Sequence, residues 1–165
     1  MLLQRLVLIR HAHRETLDRS ADNGLSPKGK DQAKRLSEFF RKRFMEQRSW
    51  SPSDWVLLSS PKRRCIETLK PWESQFNIGV QIKPELDEKL EEEDAEAFVE
   101  RVRDALNFLA AMSASKNVII CSHGDWIPTA ANILTGSDLE LKKGAWLELE
   151  PALNKWKVRW LVQKL

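Results

Sequence analysis

The chain has 165 residues, of which 42% are hydrophobic and 31% are charged, and its formal net charge is +3. This composition fits one globular domain over residues 1–165, and so small a net charge does not by itself indicate a nucleic-acid partner. No apolar stretch could span a bilayer and no signal peptide is recognisable, so we expect a cytoplasmic protein with no membrane partner. Two cysteines, Cys65 and Cys121, are too few for a disulfide framework, so we expect both to be reduced thiols.

Short apolar runs alternate with amphipathic segments along the first half of the chain. RLVLIR (5–10) is the first predicted strand, and Ser26-Pro27 provides a cap and a first-turn proline for the helix that follows. DWVLLSS (54–60) is the second strand, and the next helix is expected to end at Pro71. GVQIK (79–83) is the third strand.

The second half continues this alternation and then changes. Asp94 can cap a helix, NVIICS (117–122) is the fourth strand, and Gly136 ends another helix. The last segments, 144–151 and 155–163, read as two strands joined by a short turn. The pattern predicts a three-layer α/β/α fold with a mostly parallel central sheet and a C-terminal antiparallel hairpin or edge strand.

The segment KWKVRW (155–160) interleaves aromatic and basic residues, as some nucleic-acid-binding surfaces do. On a regular strand, however, the side chains of Trp156, Val158 and Trp160 share one face. We therefore interpret the segment as a half-buried edge strand rather than a nucleic-acid interface.

Polar clusters follow three of the predicted strands. RHAH follows the first, SSPKRR the second and SHGD the fourth. Ligands in such folds bind beyond the carboxyl ends of the strands, so these clusters are expected to meet at one edge of the sheet. Arg10, His11, His123 and either Arg63 or Arg64 could converge there.

Two arginines and two histidines together suit phosphoryl transfer. Arginine forks match phosphate oxygens, and a neutral imidazole can attack phosphorus. One histidine would attack while the arginines and the second histidine hold the oxygens, and a nearby carboxylic acid would protonate the leaving oxygen.

Five segments in this order resemble the histidine phosphatase superfamily, which includes phosphoglycerate mutases, acid phosphatases and short phosphohistidine phosphatases. They are LIRHAHRE (8–15), GLSPKGKDQA (24–33), SSPKRRCIET (59–68), FVERVRDAL (98–106) and CSHG (121–124). The resemblance covers most of the chain and implies one histidine phosphatase domain of the short form. Its register selects Arg64, not Arg63, as the pocket arginine.

The resemblance implies roles for individual residues. His11 would be the nucleophile that becomes phosphohistidine, and Arg10, Arg64 and His123 would bind the phosphoryl group. Glu88, within the acidic segment ELDEKL (85–90), would be the general acid. No metal and no other cofactor is implied.

Two further residues are candidates for substrate contacts at the pocket rim. His13 stands where the family often has Glu or Gln, and Trp126 follows His123 at a predicted helix start, where it could line the pocket mouth. Arg14 is expected to be solvated. Leu17 replaces an asparagine that larger mutases use for phosphate.

The expected activity is hydrolysis of a phosphomonoester or a phosphohistidine, on a phosphorylated small molecule or a phosphoprotein. Only 34 residues separate Glu88 from His123, too few for the cap that encloses the substrate in larger mutases. The pocket should therefore be open to water, which favours hydrolysis. Mutase-type phosphoryl transfer is the alternative. A metal hydrolase with His11, His13, His123 and Asp125 as ligands, or a catalytically silent phosphate-binding module, is a weaker alternative.

Overall fold

The computed structural model describes residues 5–46, 50–112, 116–153 and 155–165, without the side chains of 110–112. Its strands are β1 (Leu6–Arg10), β2 (Trp55–Ser59), β3 (Val80–Ile82), β4 (Asn117–Ser122), β5 (Trp146–Pro151) and β6 (Trp156–Val162). Its helices are α1 (Pro27–Phe40), α2 (Arg63–Phe76), α3 (Ala95–Met112) and α4 (Trp126–Thr135).

The strands form one mixed sheet in the order β3-β2-β4-β1-β5-β6. The first four strands of the chain are parallel, β5 runs antiparallel to β1, and β6 runs antiparallel to β5. This arrangement confirms the predicted fold class, including the C-terminal antiparallel hairpin.

Strand β1 is buried on both faces, as its unbroken apolar sequence predicts. Leu6 and Leu8 pack into the core shared with α3 and α4, whereas Val7 and Ile9 pack into the core shared with α1 and α2. The alternating side chains of one strand therefore tie both helical layers to the sheet.

Local sequence signals set three of the helix boundaries. The Ser26 hydroxyl accepts a hydrogen bond from the Gly29 backbone N–H at 3.1 Å, and the Asp94 carboxylate accepts one from Ala97 at 2.8 Å. Gly136 ends α4 in the left-handed conformation, with φ of 74°. All three confirm the predicted positions.

Two helices differ from the prediction. The helical spacing of Ala33, Leu36, Phe40 and Phe44 predicts one helix through Phe44, but α1 ends at Phe40 and a turn of π-helix follows over Arg41–Met45. Helix α2 does not end at Pro71 but continues to Phe76. Pro71 removes one backbone donor, yet Trp72 is fully buried in the core, and that packing holds the last turn in place.

The side chains of β6 do not alternate between the two faces of the sheet as predicted. Glu148 pairs with Trp160 but Leu149 pairs with Val158, so a bulge interrupts the register. One extra residue reverses the faces of the side chains that follow it in a strand. Trp156 therefore packs on the α3–α4 side of the sheet, whereas Trp160 lies on the other side. There the guanidinium carbon of Arg43 is 4.6 Å from the centroid of the Trp160 ring. Val158 and Trp160 are 39% and 47% exposed, so the predicted half-buried face is wrong beyond Trp156.

Candidate active site

The ends of β1 and β4 and the start of α2 surround one cavity of about 360 Å³. The last residues of β1 and β4 are paired neighbours, which brings the segments that follow them together. The cavity is lined by Arg10, His11, Arg14, Arg64, Glu88, His123, Gly124, Asp125 and Lys143. The five predicted catalytic residues are thus brought to one place from four separate stretches of sequence.

His11 is held as a neutral imidazole. Its Nδ1 lies 2.8 Å from the backbone oxygen of Ala12. A carbonyl can only accept, so Nδ1 carries the proton and Nε2 keeps its lone pair. Burial lowers the pKa of His11 to about 3, and the positive charges of His123, Arg64 and Arg10 act in the same direction.

His123 has the opposite tendency. Its Nε2 lies 2.7 Å from the Ser60 hydroxyl and 3.4 Å from the Asp87 carboxylate. Burial lowers the pKa of His123, but its contacts with Asp87 and with Cys65 outweigh this effect, and the pKa is raised to about 9. At neutral pH the site therefore holds a neutral His11 and a cationic His123, with their ring centroids 5.5 Å apart.

The two arginines retain unused hydrogen-bond donors. Arg10 donates from Nη1 to the Leu141 carbonyl at 2.6 Å, and Arg64 donates from Nη2 to Glu88 at 2.6 Å. The buried Nε of each guanidinium has no partner among the described residues. Buried donors without acceptors are costly, so both arginines favour the arrival of an oxyanion.

Gly124 is the residue that lets Arg10 lie in this position. A Cβ at Gly124 would come within 2.7 Å of the guanidinium carbon of Arg10, closer than real side chains allow. The glycine of the SHGD segment therefore has a steric role in placing the arginine.

Glu88 is the acid of the segment 85–93 that reaches the cavity. Its Oε1 accepts from Arg64, and its Oε2 lies 3.7 Å from Nδ1 of His123, while 41% of the side chain is exposed. Asp87, by contrast, packs behind His123 and does not line the cavity. The two neighbouring carboxylates thus have different surroundings.

Arg101 of α3 fixes the segment that carries these acids. Its Nη1 donates to the backbone oxygens of Glu85 and Asp87 at 2.9 and 3.1 Å, and its Nη2 donates to that of Glu88 at 3.1 Å. This network explains the arginine of the FVERVRDAL motif, whose purpose the sequence alone did not show.

Two predicted rim residues do not reach the cavity. Trp126 is fully buried in the α3–α4 core, where its indole N–H donates to the Glu85 carbonyl at 3.0 Å. The prediction that it lines the pocket mouth is wrong, because the first residue of α4 leans into the helical layer. His13 is half-buried, and its Nδ1 lies 2.8 Å from the Ser26 hydroxyl at the start of α1.

Arg14 and Lys143 line the cavity although neither was predicted to do so. Arg14 was expected to be solvated. Lys143 precedes β5, which is antiparallel to β1, so the start of β5 lies beside the end of β1. Only the order of strands in the sheet, which the sequence does not state, could have placed this lysine.

The two cysteines lie closer together than the sequence indicated. Both are buried free thiols, and the side chains of Cys65 and Cys121 interact with each other. The Cys65 sulfur is also 3.6 Å from Nε2 of His123. Burial, together with Cys121, raises the pKa of the Cys65 thiol, which is therefore neutral beside the histidine at physiological pH.

The metal-site alternative requires His11, His13, His123 and Asp125 to meet. The part of the chain that the structure describes contains no group of three or more His, Cys, Asp or Glu residues that could hold a metal ion. That part also contains no helix long and apolar enough to cross a membrane.

Solved structures share this fold over nearly the whole chain. A protein of Escherichia coli K-12, provisionally assigned as an alpha-ribazole-5'-P phosphatase, has a TM-score of 0.78 at 21% identity, with 96% of each chain covered. A phosphoserine phosphatase mutant of Entamoeba histolytica, in complex with phosphoserine, has a TM-score of 0.76 at 16% identity, with 95% of each chain covered. A mycobacterial glucosyl-3-phosphoglycerate phosphatase, complexed with VO3, has a TM-score of 0.73 at 17% identity, covering 95% of this chain and 98% of the other.

Sequence comparisons identify the family more directly than these distant structures. No curated protein sequence matches the chain. A family model does match, over residues 6–90 and 88–162, and these two stretches include all five of the predicted catalytic residues. The chain therefore belongs to the histidine phosphatase superfamily, branch 1.

Proposed function

We propose that the protein is a phosphatase that hydrolyses a phosphorylated substrate through a covalent phosphohistidine on His11. The observation that carries this proposal is a buried, neutral imidazole with a free Nε2 on a cavity that Arg10, Arg64 and the cationic His123 also line. An unprotonated nucleophile beside three cations is the combination that phosphoryl transfer to histidine requires.

In the first step, the lone pair of His11 Nε2 attacks phosphorus, the P–N bond forms and the bond to the leaving oxygen breaks. Arg10, Arg64 and His123 neutralise the remaining phosphoryl oxygens. The incoming phosphoryl group replaces Glu88 as the partner of Arg64, and Glu88, having taken up a proton from solvent as substrate binds, gives it to the leaving oxygen. The products are an alcohol, phosphorylated His11 and an ionised Glu88.

In the second step, water attacks the phosphorus of phosphohistidine and the P–N bond breaks. Glu88 takes the proton of that water and returns to its acid form. Inorganic phosphate leaves, and His11 is again a neutral imidazole. No step uses a metal ion, and chelators should leave turnover unchanged.

The absence of a cap supports hydrolysis over transfer to a second alcohol. Between Glu88 and His123 the described residues form only α3, β4 and their short connections. The cavity therefore keeps a route to water, which is the second substrate in hydrolysis. An enclosed site would be needed to favour another acceptor over water.

The most direct functional test replaces His11 with Asn and measures turnover of p-nitrophenyl phosphate. We expect His11→Asn to abolish turnover, because the variant has no nitrogen lone pair at the position of attack. His13→Asn is the matched control, because His13 bonds to Ser26 outside the cavity, and it should retain most of the activity. Turnover by His11→Asn close to that of the wild type would refute the proposal.

A further inference from the structure

Two basic side chains on the cavity form no side-chain hydrogen bond or ion pair within the part of the chain that the structure describes. Arg14 and Lys143 both line it, and both are half-buried. Among the ion pairs of the described residues, neither forms one within 4.0 Å, whereas Arg64 is paired with Glu88. The cavity therefore carries more positive charge than its own acids balance.

This charge exceeds what one phosphoryl group needs. Arg10, Arg64 and His123 already supply three cations for the phosphoryl oxygens. Burial lowers the pKa of Lys143, and the surrounding guanidinium groups of Arg10, Arg14, Arg19 and Arg64 lower it further. A second anion near Lys143 would relieve this repulsion.

Gln32 of α1 holds together the two backbone segments that carry Arg14 and Lys143. Its Oε1 accepts from the backbone N–H of His13 at 2.8 Å, and its Nε2 donates to the carbonyl of Lys143 at 3.4 Å. Gly144, in the left-handed conformation, also donates its N–H to the carbonyl of Arg10 at 3.0 Å. The backbones that carry Arg14 and Lys143 are therefore fixed before any ligand binds.

We propose that Arg14 and Lys143 form a second anion subsite, and that the substrate is a small phosphomonoester with another anionic group close to its phosphate. This inference rests on the proposed function. The cavity volume of about 360 Å³ lies at the small end of ligand pockets, which suits a compact molecule more than a folded carrier. The second anion is a carboxylate or another phosphate, since both accept from arginine and lysine.

A pair of substrates that differ in one group tests the subsite. Phosphoglycolate carries a carboxylate where 2-hydroxyethyl phosphate carries a neutral CH₂OH. We expect the wild type to prefer phosphoglycolate in kcat/KM by about tenfold or more, mainly through KM, because a charge-assisted contact has about that effect. The preference should shrink as salt is raised, because both cations are partly exposed.

Substitutions on the rim identify the residues responsible. Arg14→Gln and Lys143→Gln should each reduce the ratio of the two kcat/KM values several-fold, and Arg14→Glu should favour phosphoethanolamine over phosphoglycolate. Lys142→Gln is the matched control, because its exposed neighbour position lies off the cavity, and it should leave the ratio unchanged. Since the ratio is internal to each variant, a general loss of activity or folding does not change it.

Three results would overturn the subsite. One is equal kcat/KM for the two substrates in the wild type, and another is an unchanged ratio in both glutamine variants. The third is much faster turnover of a phosphohistidine protein that neither substitution slows. Affinities measured by calorimetry on His11→Asn separate this inference from the proposed function, because binding needs no turnover. Tighter binding of phosphoglycolate than of 2-hydroxyethyl phosphate supports the subsite even in an inactive protein. Equal affinities for the two substrates refute it.

Discussion

At the scale of single residues, the site depends on two buried histidines whose neighbours shift their pKa values in opposite directions. His11 has only a backbone carbonyl beside Nδ1, so burial drives it to the neutral form. His123 has Asp87 behind it, so it keeps its proton. One residue type thus supplies both the nucleophile and a cation, and Asp87 is the first of the contacts that raise the pKa of His123.

The pH dependence of activity should reflect this difference. Because the pKa of His11 is lowered to about 3, its protonation should not limit the free enzyme above about pH 4, in contrast to an ordinary histidine, which titrates near pH 6.5. Because the pKa of His123 is raised to about 9, kcat/KM should fall as pH rises through that value and the cation is lost.

Asp87→Asn tests the cause of this alkaline limb. Without the carboxylate, burial favours neutral His123 and its pKa falls, so the decline in kcat/KM should move to lower pH. Glu85→Gln, in the same segment but away from His123, is the control and should keep the wild-type profile. An alkaline limb that does not move in Asp87→Asn would show that another group sets it.

Glu88 can be tested through the leaving group. An alkoxide needs a proton to depart, whereas p-nitrophenolate does not. Glu88→Gln removes the proton source, so it should slow hydrolysis of an alkyl phosphate by about 10²–10⁴-fold and that of p-nitrophenyl phosphate far less. Equal slowing of both substrates would assign Glu88 to binding or positioning, and no slowing would exclude it as the acid.

At the scale of elements, the site is assembled where chain segments leave the sheet. Parallel strands β1 and β4 end side by side, α2 begins close to them, and β5 starts there from the opposite direction. Close backbone approaches hold these segments together, and glycine makes some of them possible. Gly29 at the start of α1 lies so near the carbonyl of His13 that a Cβ would come within 1.9 Å of it.

Gly124→Ala tests whether the start of the α4 segment places Arg10. The added methyl group would meet the Arg10 guanidinium, so the arginine must shift. Loss of one charged contact, worth about 1.5–3 kcal/mol, should reduce kcat/KM by roughly 10- to 150-fold. Thermal stability should change little, because the contact is with the end of a flexible side chain. Gly79→Ala, where a Cβ meets nothing within 4 Å, is the control, and equal activity of the two variants would refute the steric role.

At the scale of the whole molecule, the sequence predicts the order of the elements and the central residues of the cavity better than the residues at its edge. Arg10, His11, Arg64 and His123 lie at a strand end or in a motif of fixed order, whereas Glu88 was expected only from the family resemblance, and all five line one cavity. Trp126 and His13 were misplaced because a side chain's direction depends on packing against distant elements. Lys143 was missed because its position depends on which strand pairs with β1.

The side chains of β6 also lie on faces that the sequence alone did not predict. Its alternation of aromatic and basic residues predicts one buried face, but the bulge opposite Glu148 and Leu149 moves Trp160 to the other side of the sheet. A bulge depends on the partner strand as well as on the local sequence. The fold class is therefore predictable from patterns within segments, whereas faces and rims depend on contacts between them.

The covalent intermediate is the central claim, and rapid quenching tests it most directly. The protein is mixed with a substrate carrying a ³²P-labelled phosphate, stopped in alkali within milliseconds, digested and mapped by mass spectrometry. We expect label on the peptide that contains His11, stable in alkali, lost in acid and absent from His11→Asn. Full turnover without label on His11, or with label on any other residue, would contradict the mechanism.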